Sequence, residues 1–171
     1  MQKYLITIEE VMSLARDMSQ YIDKLKIEVY LRESEYIDIK SALGDALFLD
    51  VKEHSEKYST LLDGGVYETE CGAKKMFAGL KTALAYYTFA RVVKNGDGNV
   101  TRFGLVKKES EYSSHADLKE KMIAYNDAFN VANQYLKECV IYLNDNKKQF
   151  PLYKGRGGIK ANQIVFRILG E

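Results

Sequence analysis

The most apolar helical pattern of the chain runs from Gly79 to Val93, with the sequence GLKTALAYYTFARVV. Apolar side chains recur at helical spacing on two sides of this segment, and a helix that is apolar nearly all round is buried in a protein core. A thin strip stays polar, at Lys74, Lys81 and Thr88. The run is shorter than a bilayer requires and contains Lys81 and Arg91, which argues against a membrane span. The pattern therefore predicts a central helix from about Ala73 to Lys94 in a helical domain.

A second long pattern begins at Asp117, which together with Glu120 has the form of a capping box. Apolar residues then recur at alternating spacings of four and three, at Leu118, Met122, Tyr125, Phe129, Ala132, Leu136, Cys139 and Leu143. This spacing forms an a/d seam over about 27 residues and predicts one long helix. We expect the seam to pack antiparallel against the central helix, and a coiled coil with another chain is the alternative.

Three shorter helices are predicted before the central helix. Thr7 with Glu10 has the form of another capping box and starts the first helix. The second helix begins near Ser19. One of its faces is apolar, at Ile22, Leu25 and Val29. A third helix is expected to hold Leu43, Leu47, Val51 and Tyr58. We expect a bend or short break between it and the second helix, where the pattern shifts near Asp38–Ser41.

Polar and glycine-rich segments separate the predicted helices. Residues 60–72 are expected to form a loop, with Val66 and Tyr67 as candidates for a brief extended stretch. Residues 95–114 are expected to form an extended loop that contains one short strand at Val100–Val106. Ile164–Leu169 is apolar and rich in β-prone residues. Because a lone strand is not stable, this segment must pair with Val100–Val106 or with another molecule. The expected fold is mainly α, an antiparallel helical bundle with a long loop, a short β segment and a β-prone C-terminal tail.

Charge is distributed unevenly along the chain, although the net charge of +1 gives no global field that would indicate a nucleic-acid or membrane partner. Acidic residues dominate from Glu28 to Glu70. Basic residues dominate the end of the chain, at Lys147, Lys148, Lys154, Arg156, Lys160 and Arg167. We divide the chain into a helical domain, residues 1–149, and a basic, extended C-terminal arm, residues 150–171. The arm is solvated, or bound to the acidic face of a neighbouring copy, or laid along DNA phosphates.

Residues with catalytic or metal-binding chemistry are sparse in the sequence. His54 and His115 have no cysteine or carboxylate at metal-ligand spacing, so we expect no zinc site. Cys139 lies on the apolar seam, where a small core residue is the expected role. Cys71 falls at the expected start of the central helix, where a thiolate could be stabilised, but no histidine is near it in sequence. We expect reduced thiols, no secretion signal, no metal, no cofactor and no enzymatic activity.

Five segments are notable for their residues, their order and their spacing along the chain: Asp38–Gly44, Leu62–Tyr67, Gly79–Lys81, Ala85–Arg91 and Asn99–Val106. In this arrangement the chain resembles the small head–tail connector proteins of tailed phages that infect Bacteroides-type bacteria. The resemblance covers roughly residues 21–153, and none of the segments is a catalytic fingerprint. In crAss-like phages, proteins of this kind form rings in the neck below the portal.

The resemblance implies a structural virion protein that is assembled in the host cytoplasm as a dodecameric ring at the head–tail junction. Its expected partners are further copies of itself, the portal protein and a neighbouring neck or tail protein, with non-specific contact to genomic DNA in the channel and no membrane. The loop and the arm supply the candidate contact residues: Arg102, Phe103, Lys107, Lys108, Tyr153, Lys154, Arg156, Lys160, Val165, Phe166 and Arg167. The alternative is a helical module that binds protein or nucleic acid without a role in a virion.

Overall fold

Helices form most of the computed structural model, which describes residues 4–96, 98–102, 104–107 and 117–155. The helices are α1 (Ile8–Leu14), α2 (Lys24–Ser34), α3 (Lys40–Leu43), α4 (Asp45–Glu53), α5 (Ser59–Asp63), α6 (Leu80–Asn95) and α7 (Leu118–Asp145). The strands are β1 (Gly65–Glu68), β2 (Lys74–Phe77), β3 (Gly98–Thr101) and β4 (Gly104–Lys107). The prediction of a mainly α fold is confirmed. Within the described residues no helix has the length and apolar character needed to cross a membrane.

Side-chain caps fix where the first two helices begin. The Thr7 hydroxyl accepts from the Glu10 backbone N–H at 3.1 Å, and the Glu10 carboxylate accepts from the Thr7 N–H at 2.7 Å, so the predicted capping box is confirmed. The prediction that the second helix begins near Ser19 is wrong. Asp23 caps α2 by accepting from the Leu25 N–H at 3.0 Å, and the helix starts one residue after this cap.

A π-helical turn at Glu35–Ile39 joins α2 to α3 without a break. The expected break occurs slightly later, at Gly44, whose φ of 79° is a conformation that glycine adopts without steric cost. Leu43 therefore ends the preceding helical segment and does not belong to α4. The helix predicted to reach residue 58 ends earlier, at Glu53, and a 3-10 turn at Ser55–Tyr58 follows it.

The central helix α6 is buried on nearly all sides, as its pattern predicted, but it starts later than expected. Residues 74–77 form strand β2, so the helix begins at Leu80 and not near Ala73. Thr88 is fully buried and donates its hydroxyl to the Leu84 carbonyl at 2.8 Å, which removes it from the predicted polar strip. Lys81 reaches both Glu10 and Asp63, at 2.9 and 2.8 Å, so its charge is paired at the edge of the core.

The predicted antiparallel pairing of α6 with the long C-terminal helix is confirmed. The contact between α6 and α7 is the most extensive between any two elements of the described chain. The Tyr87 hydroxyl donates to the Asn133 side-chain oxygen at 2.7 Å, and the Lys94 ammonium lies 4.7 Å from the centre of the Tyr125 ring. Later residues of α6 thus face earlier residues of α7. The a/d seam is buried from Ala132 through Leu143, whereas Leu118 at its start is 75% exposed.

One ion pair lies inside the apolar core. The Lys52 ammonium on α4 donates to the Glu35 carboxylate at 2.5 Å, and both side chains are almost fully buried. The second Glu35 oxygen accepts from the Leu5 backbone N–H at 2.9 Å. Aromatic rings of Tyr36 and Phe48 lie 5.6 Å from the ammonium. The pair thereby ties α4 and the N-terminal segment to the π-helical turn.

The end of the described chain belongs to the helical body. Phe150 and Tyr153 are buried in the main core, so this body extends past the expected boundary at residue 149. The region predicted to hold a single strand at Val100–Val106 is an antiparallel hairpin of β3 and β4. The apolar segment Ile164–Leu169 lies outside the described residues.

Candidate functional site

The hairpin of β1 and β2 occupies part of the region that was predicted to be a loop. Its two strands are antiparallel, with Val66 opposite Met76 and Glu68 opposite Lys74. Gly79 has a φ of 85°, and a Cβ atom there would lie 2.4 Å from the Gly64 backbone nitrogen. This close approach requires glycine and holds the start of the hairpin against the start of α6.

The inner face of this hairpin is fixed to α7 by aromatic and polar contacts. The Phe77 and Tyr142 rings stack with centroids 4.4 Å apart, and Tyr67 packs edge-on against Tyr142 at 4.9 Å. The Tyr67 hydroxyl donates to Asp145 at 2.8 Å, and the Lys75 ammonium lies 2.8 Å from the same carboxylate. Burial and the hydrogen bond to Asp145 raise the pKa of Tyr67 to about 12. The hairpin is therefore held to the helical body through its inner face.

The outer face of the hairpin carries apolar side chains that are exposed. Val66 is 64% and Met76 is 77% exposed, although they lie directly opposite each other. Glu68 and Lys74 are the next pair on the same face, because opposite residues of an antiparallel ladder share a face and alternate residues repeat it. We call these four residues the hairpin surface. An apolar pair followed by a charged pair, both open to solvent, is suited to contact with another protein.

A second exposed apolar surface runs along α2 and continues into the π-helical turn. Leu25 is 71%, Val29 is 42% and Tyr36 is 48% exposed. Arg32 lies between Val29 and Tyr36 at helical spacing and is exposed too. We call these four residues the α2 surface. The sequence had placed Leu25 and Val29 on an apolar face, but the face of α2 that packs on the core carries Ile27 and Leu31 instead.

The residues predicted as partner contacts divide into three groups. Arg102 is exposed in the turn between β3 and β4, Lys107 ends β4, and Lys154 is exposed after α7. Tyr153 is buried in the main core, which contradicts its expected place on an extended arm. The remaining predicted contacts lie outside the described residues: Phe103, Lys108, Arg156, Lys160, Val165, Phe166 and Arg167.

The two cysteines have different environments. Cys71 is exposed in the turn between β1 and β2, and not at a helix start as expected. Its pKa is lowered, first by the hydrogen bond with the Thr69 hydroxyl at 3.1 Å. Cys139 is buried in the seam as expected, and burial raises its pKa to about 12. Both are free thiols, and of the two only Cys71 is exposed to reagents in solution.

A groove of about 430 Å³ lies between the end of α6 and the segment before α2. Its lining is mainly apolar, from Met18, Ile22, Phe89, Val92 and Val93. Such a lining suits an apolar side chain better than a polar substrate. No group of three or more His, Cys, Asp or Glu side chains that could hold a metal ion occurs among the residues described.

Sequence reasoning missed the two exposed surfaces for different reasons. Strands β1 and β2 are only four residues long, and the glycine-rich turn chemistry around Gly64 dominated the pattern. The α2 pattern contains two apolar faces, and either could have been the buried one. The spacing of Leu25, Val29 and Tyr36 was a usable signal, because it continues the exposed face of α2 beyond the end of that helix, whereas Ile27 and Leu31 form the buried face.

The chain was compared with known proteins at three levels. Neither the comparison with curated proteins nor the comparison with solved structures found a match. The profile of one protein family matches residues 39–163, from the π-helical turn to beyond α7. Because this match covers most of the length of the chain, the chain belongs to the family of unknown function DUF6712.

Proposed function

We propose that the protein is a structural virion protein, a head–tail connector subunit that joins the portal to the tail as a ring in the phage neck. The proposal rests on the resemblance of five sequence segments to such connectors and on the exposed apolar surfaces of the helical body. In this function the protein docks with other proteins and does no chemistry. DNA would pass through the centre of the ring.

The segments that carry the resemblance fall on helices and hairpins of the described chain. Asp38–Gly44 covers the end of the π-helical turn and α3, and Leu62–Tyr67 spans the end of α5 and most of β1. Gly79–Lys81 and Ala85–Arg91 lie at the start and in the middle of α6, and Asn99–Val106 lies in the β3–β4 hairpin. The resemblance therefore extends from the π-helical turn through the central helix to the hairpin that follows it. This distribution supports a likeness of architecture and not of isolated short motifs.

The observation that carries the proposal is that, within its described residues, the chain exposes apolar side chains on two separate elements, α2 and the β1–β2 hairpin. A monomeric protein usually keeps large apolar side chains away from solvent or scatters them singly, and contiguous exposed apolar patches mark contact sites. Here Leu25 and Val29 are exposed on one surface and Val66 and Met76 on another. A subunit within a ring has a neighbour on each side, so it needs two contact surfaces.

The helical body has the rigidity that a connector requires. Tyr87 joins α6 to α7 through its hydroxyl, and its ring packs edge-on against Phe129 at 5.1 Å. Arg91 on α6 lies 2.8 Å from the Asp38 carboxylate and also donates to the Ser34 hydroxyl at 3.0 Å, which joins α6 to the π-helical turn. Such cross-links favour rigid docking over a change of shape on binding.

The test is direct localisation in virions that contain the full-length protein. A phage whose genome encodes the chain would be imaged by cryo-electron microscopy, and the fold would be fitted into symmetric density at each level of the neck. We expect a ring of density between the portal and the tail that accommodates the α6–α7 pair. Absence of the chain from purified particles, shown by mass spectrometry, would contradict the proposal.

A co-purification experiment complements the imaging. The tagged chain would be co-expressed with the portal protein of the same phage and, as the matched control, with its major capsid protein. We expect co-purification with the portal and none with the capsid protein. Equal retention of both proteins would point to non-specific adhesion, and a complex with DNA alone would favour the nucleic-acid-binding alternative.

A further inference from the structure

We propose that the α2 surface of one copy binds the hairpin surface of the next copy, an inference that rests on the proposed ring assembly. The α2 surface consists of Leu25, Val29, Arg32 and Tyr36, and the hairpin surface of Val66, Glu68, Lys74 and Met76. The partner of each surface is thus a second copy of this chain. The contact is head-to-tail, because the two molecules contribute different surfaces to it.

The two surfaces belong to different layers of the molecule. Helix α2 packs on α6, whereas strand β2 packs on α7. Leu25 and Met76 are among the most exposed large apolar residues of the described chain, at 71% and 77%. One molecule therefore presents both surfaces at the same time, and neither needs to unfold or move before it can bind.

The hairpin surface is held in place before any contact is made. Tyr67 and Phe77 alternate with the exposed residues and fix the inner face to Tyr142 of α7. Lys75 adds an ion pair with Asp145 at 2.8 Å. Since the backbone of the hairpin is already ordered by these contacts, binding costs little additional conformational entropy.

The order of apolar and charged residues is the same on both surfaces. On α2, the apolar residues Leu25 and Val29 are followed by Arg32, which lies about 4.5 Å further along the helix axis than Val29 at a rise of ~1.5 Å per residue. On β1, Val66 is followed by Glu68, about 6.6 Å further along the strand at ~3.3 Å per residue. An apolar contact between the first groups therefore brings the Arg32 guanidinium within reach of the Glu68 carboxylate.

The charged residues of the two surfaces are available for such pairing. Within the described part of the chain, the side chains of Arg32, Glu68 and Lys74 form no ion pair. Charged residues close to them in sequence are paired, namely Lys24 with Glu9, Glu33 with Arg91, Glu70 with Lys148 and Lys75 with Asp145. Glu33, on the flank of the α2 surface, lies 3.6 Å from Arg91 and is 43% exposed, so it can also face Lys74 of a neighbour. Complementary charges at an interface fix its register.

A head-to-tail contact between two different surfaces has a defined consequence for assembly. The same contact can be repeated from copy to copy, and it closes into a ring when the rotation between neighbours divides a full turn. A contact between two identical surfaces would stop at a dimer. The inference therefore supplies the contact that a neck ring needs between adjacent subunits.

Site-directed cross-linking tests the contact in the full-length chain. Both variants carry Cys71→Ser, which removes the exposed native thiol, while buried Cys139 stays. One variant adds Val29→Cys and the other Met76→Cys, and a short bismaleimide linker is applied to each alone and to a mixture of equal amounts. We expect a covalent dimer in the mixture, and no dimer in either variant alone. A chain with both substitutions should form a ladder of multimers.

Matched controls use an exposed position away from the two surfaces. Val29→Cys and Met76→Cys are each mixed with Lys119→Cys, an exposed position at the start of α7 and far along that helix from Tyr142, which contacts the hairpin; both mixtures should give background yields only. The charge pair is tested by Arg32→Glu, which should weaken association about tenfold, and by adding Glu68→Arg, which should restore it. Equal yields in the test and control mixtures, or dimers from one variant alone, would overturn the inference.

Failure of the inference can be told apart from failure of the proposed function. If a neck ring is found in virions but the Val29–Met76 pair does not cross-link, the function stands and this contact is wrong. If the pair cross-links specifically but virions lack the protein, the contact between copies stands and the neck function is wrong.

Discussion

Two regions of the molecule contain similar apolar side chains and use them differently. Between α6 and α7, Leu84 and Leu143 are fully buried, and each such side chain contributes roughly 1.5–3 kcal/mol to folding. On the α2 and hairpin surfaces, Leu25 and Met76 remain mostly in water and contribute almost nothing to the stability of the monomer. The comparison teaches that the first region specifies the fold, while the second is available for assembly.

Charged residues show the same contrast between regions. Glu35 and Lys52 are both buried and depend on each other, since each would be an uncompensated charge in the core without its partner. Glu68 and Lys74 lie opposite each other on the hairpin and remain solvated. A change of the same chemical kind should therefore have very different effects in the two regions.

The largest expected effect is that of Glu35→Ala, which should lower the free energy of unfolding by about 3–5 kcal/mol because it leaves Lys52 charged and buried. The matched change Glu68→Ala should alter it by less than ~0.5 kcal/mol, because that side chain is exposed. Urea denaturation followed by circular dichroism measures both. A loss below about 1 kcal/mol for Glu35→Ala would mean that the pair is not enclosed as described.

A smaller effect is expected where the hairpin is joined to the helical body. Tyr67→Phe removes the hydrogen bond to Asp145 and should lower the free energy of unfolding by about 0.5–1.5 kcal/mol. Amide hydrogen exchange should become faster in β1 and β2 than in α6. Tyr21→Phe is the control, because Tyr21 is 88% exposed, and it should change neither quantity. Unchanged exchange in Tyr67→Phe would show that the aromatic contacts alone hold the hairpin.

The smallest effect concerns the half-buried Asp50, near the 3-10 turn, and depends on pH. Hydrogen bonds from Tyr58, Lys57 and His54 lower the pKa of Asp50 from 3.8 to about 2. A carboxyl group with a lowered pKa stabilises the fold above pH 3.8, and this contribution is lost as the pH falls towards 2.

Asp50→Asn should therefore reduce stability near neutral pH and flatten the acid dependence of the unfolding midpoint between about pH 4 and pH 2. Thermal unfolding at a series of pH values measures this slope, and Asp17→Asn, at an exposed position, serves as the control. Parallel curves for the wild type and Asp50→Asn would contradict the assigned hydrogen bonds.

Local signals in the sequence predicted much of the helical fold. Caps at Thr7 and Asp117 are short-range features, and the start of both helices follows from them. The pairing of α6 with α7 was predictable because one helix needed a partner and the other offered an apolar seam. The buried position of Lys52 was not predictable, since lysine is normally exposed and its partner Glu35 belongs to another helical segment.

The candidate surfaces could be predicted only in part. The pattern of α2 identified Leu25 and Val29 as apolar neighbours, but only packing decides which of two apolar faces meets α6. The start of the central helix was misplaced because Ala73–Phe77 reads as helical in isolation, whereas pairing with β1 makes most of this segment a strand. Tertiary contacts therefore determined the two surfaces proposed to carry the function.

The most direct test of the account is the mass of assemblies formed by two complementary full-length variants. Leu25→Glu disables the α2 surface and Met76→Glu disables the hairpin surface, so in a mixture each variant can still offer the surface that the other lacks. Analytical ultracentrifugation at high protein concentration should show association of the wild type, monomers of each variant alone, and a dimer in the equal mixture. Association of either variant like the wild type, or a wild type that stays monomeric, would contradict the account.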